Sequence, residues 1–148
     1  MTVLNEQIET RLPLDAAFEF IADFANAEAW DPGVASSTRL DDGPLGVGAR
    51  YRLGIRLGGR VAPMDYEVTA FEPRRQVVLA GRGSGVKAVD DIRFTATDAG
   101  TRIDYVADIR LVGLLRVAGP FAGGALGRIG RAARDGMELA LERRVAGA

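Results

Sequence analysis

Neither cysteine nor histidine occurs in this chain of 148 residues. The first absence excludes disulfides, thiolate nucleophiles and Cys-ligated zinc; the second excludes His-dependent triads and His-ligated metals. Neither a metal nor an organic cofactor is expected. No stretch approaches the ~20 apolar residues that cross a bilayer, and the opening Met-Thr-Val-Leu-Asn-Glu-Gln has no basic region followed by an apolar run. A cytoplasmic protein without an integral membrane segment is therefore expected. An excess of one charge is also lacking. Nineteen basic residues face twenty acidic ones, a formal charge of -1, which supplies no broad electrostatic reason to seek nucleic acid or an anionic membrane.

What is present is ordinary core material, 47% hydrophobic and 26% charged, enough for one domain over residues 1–148. Leu126, Ile129, Ala133, Met137 and Ala140 recur at helical spacing on one stripe, so a long C-terminal helix is predicted, with that stripe buried on a partner surface. Arg131–Asp135 and Arg134–Glu138, at i, i+4, predict a solvated, charge-paired opposite face. Upstream the chain reads as strands. Val3 to Leu12 sends its even residues Leu4, Ile8 and Leu12 inward. Pro13 and Asp15 start a short helix, and Asn26 is placed to cap a second one ending at Asp31-Pro32-Gly33.

From Val34 on, turn residues divide strand-length runs with period-two alternation. Tyr51, Leu53, Ile55 and Leu57 oppose Arg50, Arg52 and Arg56; Met64, Tyr66 and Val68, then Ile92, Phe94 and Ala96, then Ile103, Tyr105, Ala107, Ile109 and Leu111, repeat the pattern. Short connections predict an antiparallel meander. Pro63 lacks a ladder donor, so its strand start belongs at a bulge or an edge. Gly81-Arg82-Gly83-Ser84-Gly85 has no following helix and no lysine-serine pair, so it is read as a hairpin turn and not a phosphate loop.

The segment Pro13-Leu14-Asp15-Ala16-Ala17-Phe18-Glu19-Phe20-Ile21-Ala22-Asp23-Phe24, the later Ala29-Trp30-Asp31-Pro32-Gly33-Val34, and Leu45-Gly46-Val47-Gly48-Ala49-Arg50-Tyr51 resemble the START-like, or SRPBCC (Bet v 1-like), superfamily, in its polyketide cyclase/dehydrase branch. The resemblance covers essentially the whole chain. It implies an α+β helix-grip fold: a curved antiparallel sheet of six or seven strands around the long helix, two short helices after the first strand, and a hydrophobic cavity between sheet and helix. Activity is not implied by the fold alone, because the superfamily contains carriers, cyclases, hydroxylases and chaperone activators.

Given such a cavity, Trp30, Tyr51, Tyr66 and Tyr105 are its candidate wall, with Phe121 near the helix start; aromatic rings contact apolar ligands and carry a polar handle. Asp90 shares parity with Ile92 and Phe94. Either the strand begins only near Asp91 and leaves Asp90 exposed, or Asp90 is a carboxyl in the cavity wall with a raised pKa and a tyrosine partner. Gly119-Pro120, Gly123-Gly124, Gly127 and Gly130 weaken the helix start. Two readings follow: Pro120 simply begins the helix and the glycines permit close packing, or residues 114–124 form a gate. The functional expectation is a carrier of a hydrophobic small molecule such as a lipid, polyketide or aromatic metabolite, acting as monomer or homodimer. The alternative is a cyclase or dehydratase using inward tyrosines and carboxylates.

Overall fold

The computed structural model describes residues 2–57, 59–113 and 119–147, with the backbone alone for 119–123. In chain order the elements are β1 (Thr2–Thr10), α1 (Leu14–Ala22), a 3-10 turn (Phe24–Asn26), α2 (Ala27–Trp30), β2 (Val34–Arg39), β3 (Arg50–Leu57), β4 (Arg60–Glu72), β5 (Gln76–Gly83), β6 (Val86–Ala96), β7 (Thr101–Leu111) and α3 (Gly119–Ala146). The strands form one antiparallel sheet in the order β1-β7-β6-β5-β4-β3-β2. β2 to β7 are the predicted meander, and β1 returns to pair with β7. The two edges, β1 and β2, are consecutive in sequence, so α1 and α2 carry the chain from one edge to the other.

Two irregularities bend the ladder. The β2–β3 register shifts between Val34 and Ser36, and the β4–β5 register between Val68 and Ala70; an extra residue on one strand increases local twist and lets the sheet curl. Pro63 falls where an edge was expected: β5 pairs with β4 only from Met64 onward, so Arg60 to Pro63 have β3 alone as neighbour. The hairpin of β3 and β4 thus projects past the end of β5.

The inward parity of the long strands is largely as the alternation predicts, with Ile8, Tyr51, Leu53, Met64, Tyr66, Val68, Ile92, Phe94 and Ile103 buried, whereas Leu57 and Ala96, at strand ends, are exposed. α1 closes one end of the concave face. Its Phe18 meets Phe71 and Phe94 edge-on at centroid distances of 5.5 and 5.0 Å, and Ile21 is fully buried. The C-terminal half of α3 joins this end through Met137, Ala140 and Leu141.

Several local expectations need correction. Asn26 does not cap α2; its Nδ2 donates to the Phe20 carbonyl, while the Asp23 carboxylate accepts from the Ala25 N–H and starts the 3-10 turn. The helical stripe is only half buried. Met137 and Ala140 are covered, but Ile129 is 43% exposed, and Leu126 and Ala133 are intermediate. Asp135 pairs with Arg134 at 3.0 Å and not with Arg131; Arg134 also reaches Glu138 at 3.2 Å, as expected, and Glu6 on β1 at 4.0 Å. α3 is described from Gly119 onward, and Gly130 permits close approach, since a Cβ there would lie 2.9 Å from the Leu4 side chain. Residues 114–118 of the expected gate lie outside the described residues.

Candidate functional site

The small residues of α3 leave space that the sheet does not fill. A cavity of about 330 Å³ lies between the concave face and α3, walled by Leu4, Ile8, Ile55, Val86, Ile109 and Leu126 among others. Its deep members, Ile8, Trp30, Tyr66, Ala88, Asp90 and Met137, are buried. Its exposed members, Arg56, Leu57, Pro63, Ser84 and Ile129, belong to one end of the sheet and the N-terminal half of α3. That end is the mouth.

Aromatic packing organises the deep end. Trp30, delivered by α2, meets Tyr105 edge-on at 6.1 Å and Phe24 at 6.1 Å; Phe24 in turn meets Tyr66 at 5.4 Å. Tyr66 can lie flat across β5 only because its cross-strand neighbour is Gly81, where a Cβ would come within 2.5 Å of the ring. Among the described residues its hydroxyl finds only the Met64 sulfur, at 3.7 Å. The Trp30 indole N–H is buried without a partner among the described residues.

Asp90 lies on the cavity wall, 6% exposed, so the strand does not begin at Asp91 and the inward reading of the sequence holds geometrically. In register Asp90 faces Ala107 and Ile92 faces Tyr105. Asp90 and Tyr105 are thus diagonal neighbours on one face, and the Tyr105 hydroxyl donates to Asp90 Oδ2 at 2.5 Å. Among the described residues this is the only hydrogen bond to that carboxyl. Burial pushes the Asp90 pKa up to about 6; the Tyr105 hydrogen bond opposes this, and the Asp31 charge adds to it. Burial likewise raises Asp31, against the hydrogen bond it accepts from the Gly33 N–H at 2.8 Å. Tyr66 and Tyr105 are raised well above the usual phenol range by burial and then by Asp90. At neutral pH the site therefore combines a carboxylate close to its titration point with neutral phenols. Asp91, by contrast, faces outward and pairs with Gln76 and Arg93.

The geometry thus brings together Trp30, Tyr66, Asp90 and Tyr105. Tyr51 is not among the cavity residues. It neighbours Tyr66 across the β3–β4 ladder with the same parity, but Phe24 packs on it at 6.3 Å, Arg39 lies 5.5 Å over its ring, and its hydroxyl is buried with no partner at hydrogen-bond geometry among the described residues. Burial and the Asp23 charge raise its pKa. The Phe121 side chain lies outside the described residues.

Other polar wall residues were missed by the sequence reading: Glu6, Asp31, Arg56 and Arg134. Glu6 shares even parity with Leu4 and Ile8, so that signal was available. Asp31 read as turn chemistry, and Arg134 as part of a solvated face. Among the described residues no helix is long and apolar enough to cross a membrane.

A curved sheet gripping one helix around an apolar cavity, with few polar groups gathered at its inner end, defines a helix-grip protein of the START-like superfamily. Within it, the chain belongs to the polyketide cyclase/dehydrase and lipid transport family, whose profile matches residues 1–143. No curated protein matches the sequence significantly. Among solved structures, the Zhui aromatase/cyclase of Streptomyces sp. R1128 superposes with a TM-score of 0.78 at 18% identity, covering 97% of this chain and 94% of that one. A START superfamily protein from Mycobacterium smegmatis gives 0.74 at 16% identity, with 99% of each chain covered. The protein TTHA0849 from Thermus thermophilus gives 0.77 at 12% identity, with 97% of each covered. At these identities the likeness concerns the fold.

Proposed function

We propose that the protein binds a compact hydrophobic molecule, aromatic or polyketide-like, between the sheet and α3, with a hydroxyl or enol of that molecule donating to Asp90. The observation carrying this reading is a buried carboxyl whose only hydrogen-bond partner among the described residues is Tyr105, set in a mostly apolar wall. The cavity volume of about 330 Å³ is at the small end of the ~300–1,000 Å³ usual for ligand sites, which favours a few rings or a folded chain over an extended lipid. Titration with an anilinonaphthalene fluorophore should saturate at one site per chain. A panel of phenols should displace it more strongly than their methyl ethers, and Asp90→Asn should remove that preference. Phenols and ethers competing equally would overturn the role of Asp90, and no binding of any probe would overturn the site.

One observation favours a second reading, catalysis. A carboxyl near pKa 6 beside a neutral phenol suits removal of a proton from carbon between two carbonyls. Asp90 would take the proton, the enolate carbon would bond to a second carbonyl carbon within the same chain as that C=O becomes an alkoxide, Asp90 would return the proton to the alkoxide, and the hydroxyl so formed would leave as water with the second proton of the attacking carbon. Mass spectrometry of a poly-β-ketone analogue incubated with the protein distinguishes the two: loss of water supports catalysis, and recovery of unchanged ligand from the complex supports carriage.

A further inference from the structure

The near-zero formal charge conceals a local concentration of basic residues. In register, Arg82 lies opposite Lys87, and Lys87 opposite Arg110, on the outer face one residue from the ends of β5, β6 and β7. Like charges directly opposite one another weaken a sheet. Only Arg110 of the three meets a carboxylate among the described residues, Asp108 at 3.6 Å. The strand ends they border, Gly83, Val86 and Leu111, belong to the cavity wall. Arg56 and Arg60 flank the β3–β4 hairpin, and Arg128 and Arg131 stand exposed on α3; none of these forms an ion pair among the described residues. At the far end charges of both signs mix: Glu9, Asp98 and Glu142 share one shallow depression with Arg11, and Arg143 and Arg144 are exposed beside it.

The same mouth carries exposed aliphatic side chains: Leu57 is 50% exposed, Val61 57% and Ile129 43%. Leu57 and Val61 sit on the hairpin that projects past β5. Single aliphatic residues dispersed among cations on a protrusion suit a fluid interface of headgroups and acyl chains, which needs no matching shape.

We propose that the cavity mouth docks on an anionic lipid bilayer. The cations around the mouth meet lipid phosphates and carboxylates, Leu57, Val61 and Ile129 enter the acyl boundary, and the cavity then opens toward the bilayer. An apolar ligand passes between them without crossing water. The inference rests on the mouth alone and is independent of what Asp90 recognises.

Co-sedimentation of the full chain with vesicles of phosphatidylcholine, or of phosphatidylcholine mixed with phosphatidylserine, tests it. Binding is expected to the mixed vesicles only and to fall steeply with added salt. Each basic residue near an anionic leaflet contributes about fivefold to partition, so Arg82→Gln with Lys87→Gln should weaken binding ~25-fold. That pair relieves like-charge repulsion and should fold at least as well as the parent, with unchanged fluorophore binding in the cavity. Leu57→Ser with Val61→Ser should weaken binding without altering its salt dependence. Equal binding to neutral vesicles, no binding to either, or no effect of the double neutralisation would overturn the proposal. Salt-sensitive binding of polyglutamate without binding to the mixed vesicles would also overturn it, and would make the mouth a site for an acidic polypeptide.

Discussion

The two ends of the concave face are built from the same strands and the same alternation, yet one is filled and the other hollow. At the filled end α1 supplies Phe18, Phe20 and Ile21, and α3 supplies Met137 and Leu141, all buried. At the hollow end the covering stripe is Leu126, Gly130 and Ala133, with Ile129 half in solvent. The difference lies in the volume of the covering side chains and not in the sheet. Interior glycines cost a helix about 1 kcal/mol each relative to alanine, so α3 gives up local stability where it roofs the cavity. Stability and site are thereby separated along one sheet, as expected when elements near a binding site come from the less stable part of a fold.

Equivalent cuts at the two ends should have the most unequal effects. Phe18→Ala removes a ring held edge-on by Phe71 and Phe94 and should cost about 3–5 kcal/mol in denaturant unfolding. Ile129→Ala, at the mouth, should cost under ~1 kcal/mol while weakening fluorophore binding. Similar losses of stability at the two positions would mean that the hollow end is packed more tightly than its geometry implies.

A second test uses pH. The Asp90 pKa is raised from 3.8 to about 6 in the folded protein, so well below pH 3.8 the group is protonated in both states and contributes no penalty. As pH rises from 4 through 6 the unfolded chain ionises first, and stability falls. Above about pH 7 the penalty is constant, about 3 kcal/mol at most. Unfolding free energies of the parent and Asp90→Asn should therefore diverge between pH 4 and 6 in favour of Asn, then run parallel. A constant difference across that window would show that Asp90 titrates normally.

The smallest expected change in stability comes from filling the hollow end. Ala133→Leu adds side-chain volume toward the cavity on a position with good helix propensity. Unfolding free energy should shift by less than ~1 kcal/mol, whereas fluorophore affinity should fall at least tenfold, a loss of ~1.4 kcal/mol in binding. A large loss of stability would instead mean that Ala133 is packed and the cavity does not reach it.

The architecture was legible because a period of two and a period of 3.6 are local properties. Alternation set the inward parity of Ile8, Tyr66, Ile92 and Ile103, and turn residues set the strand ends, before any long-range contact was known. For Asp90 parity with Ile92 and Phe94 offered the inward placement as one of two readings, and only the extent of β6 decided between them. The partner of Asp90 does not follow from parity: Tyr105 reaches it only through the β6–β7 register, and register depends on which strands meet and where bulges fall.

Parity also could not separate Tyr51 from Tyr66, adjacent rings on one face that both meet Phe24, because which of them the cavity reaches depends on how the helices cross the sheet. The half-buried state of the α3 stripe was hidden for a similar reason: periodicity identifies which side of a helix faces the sheet, but not whether the opposing surface is close enough to touch. Summed charge is a property of composition and carries no positions. Composition therefore determined a near-neutral chain, and only folding brought Arg82, Lys87 and Arg110 side by side at the mouth.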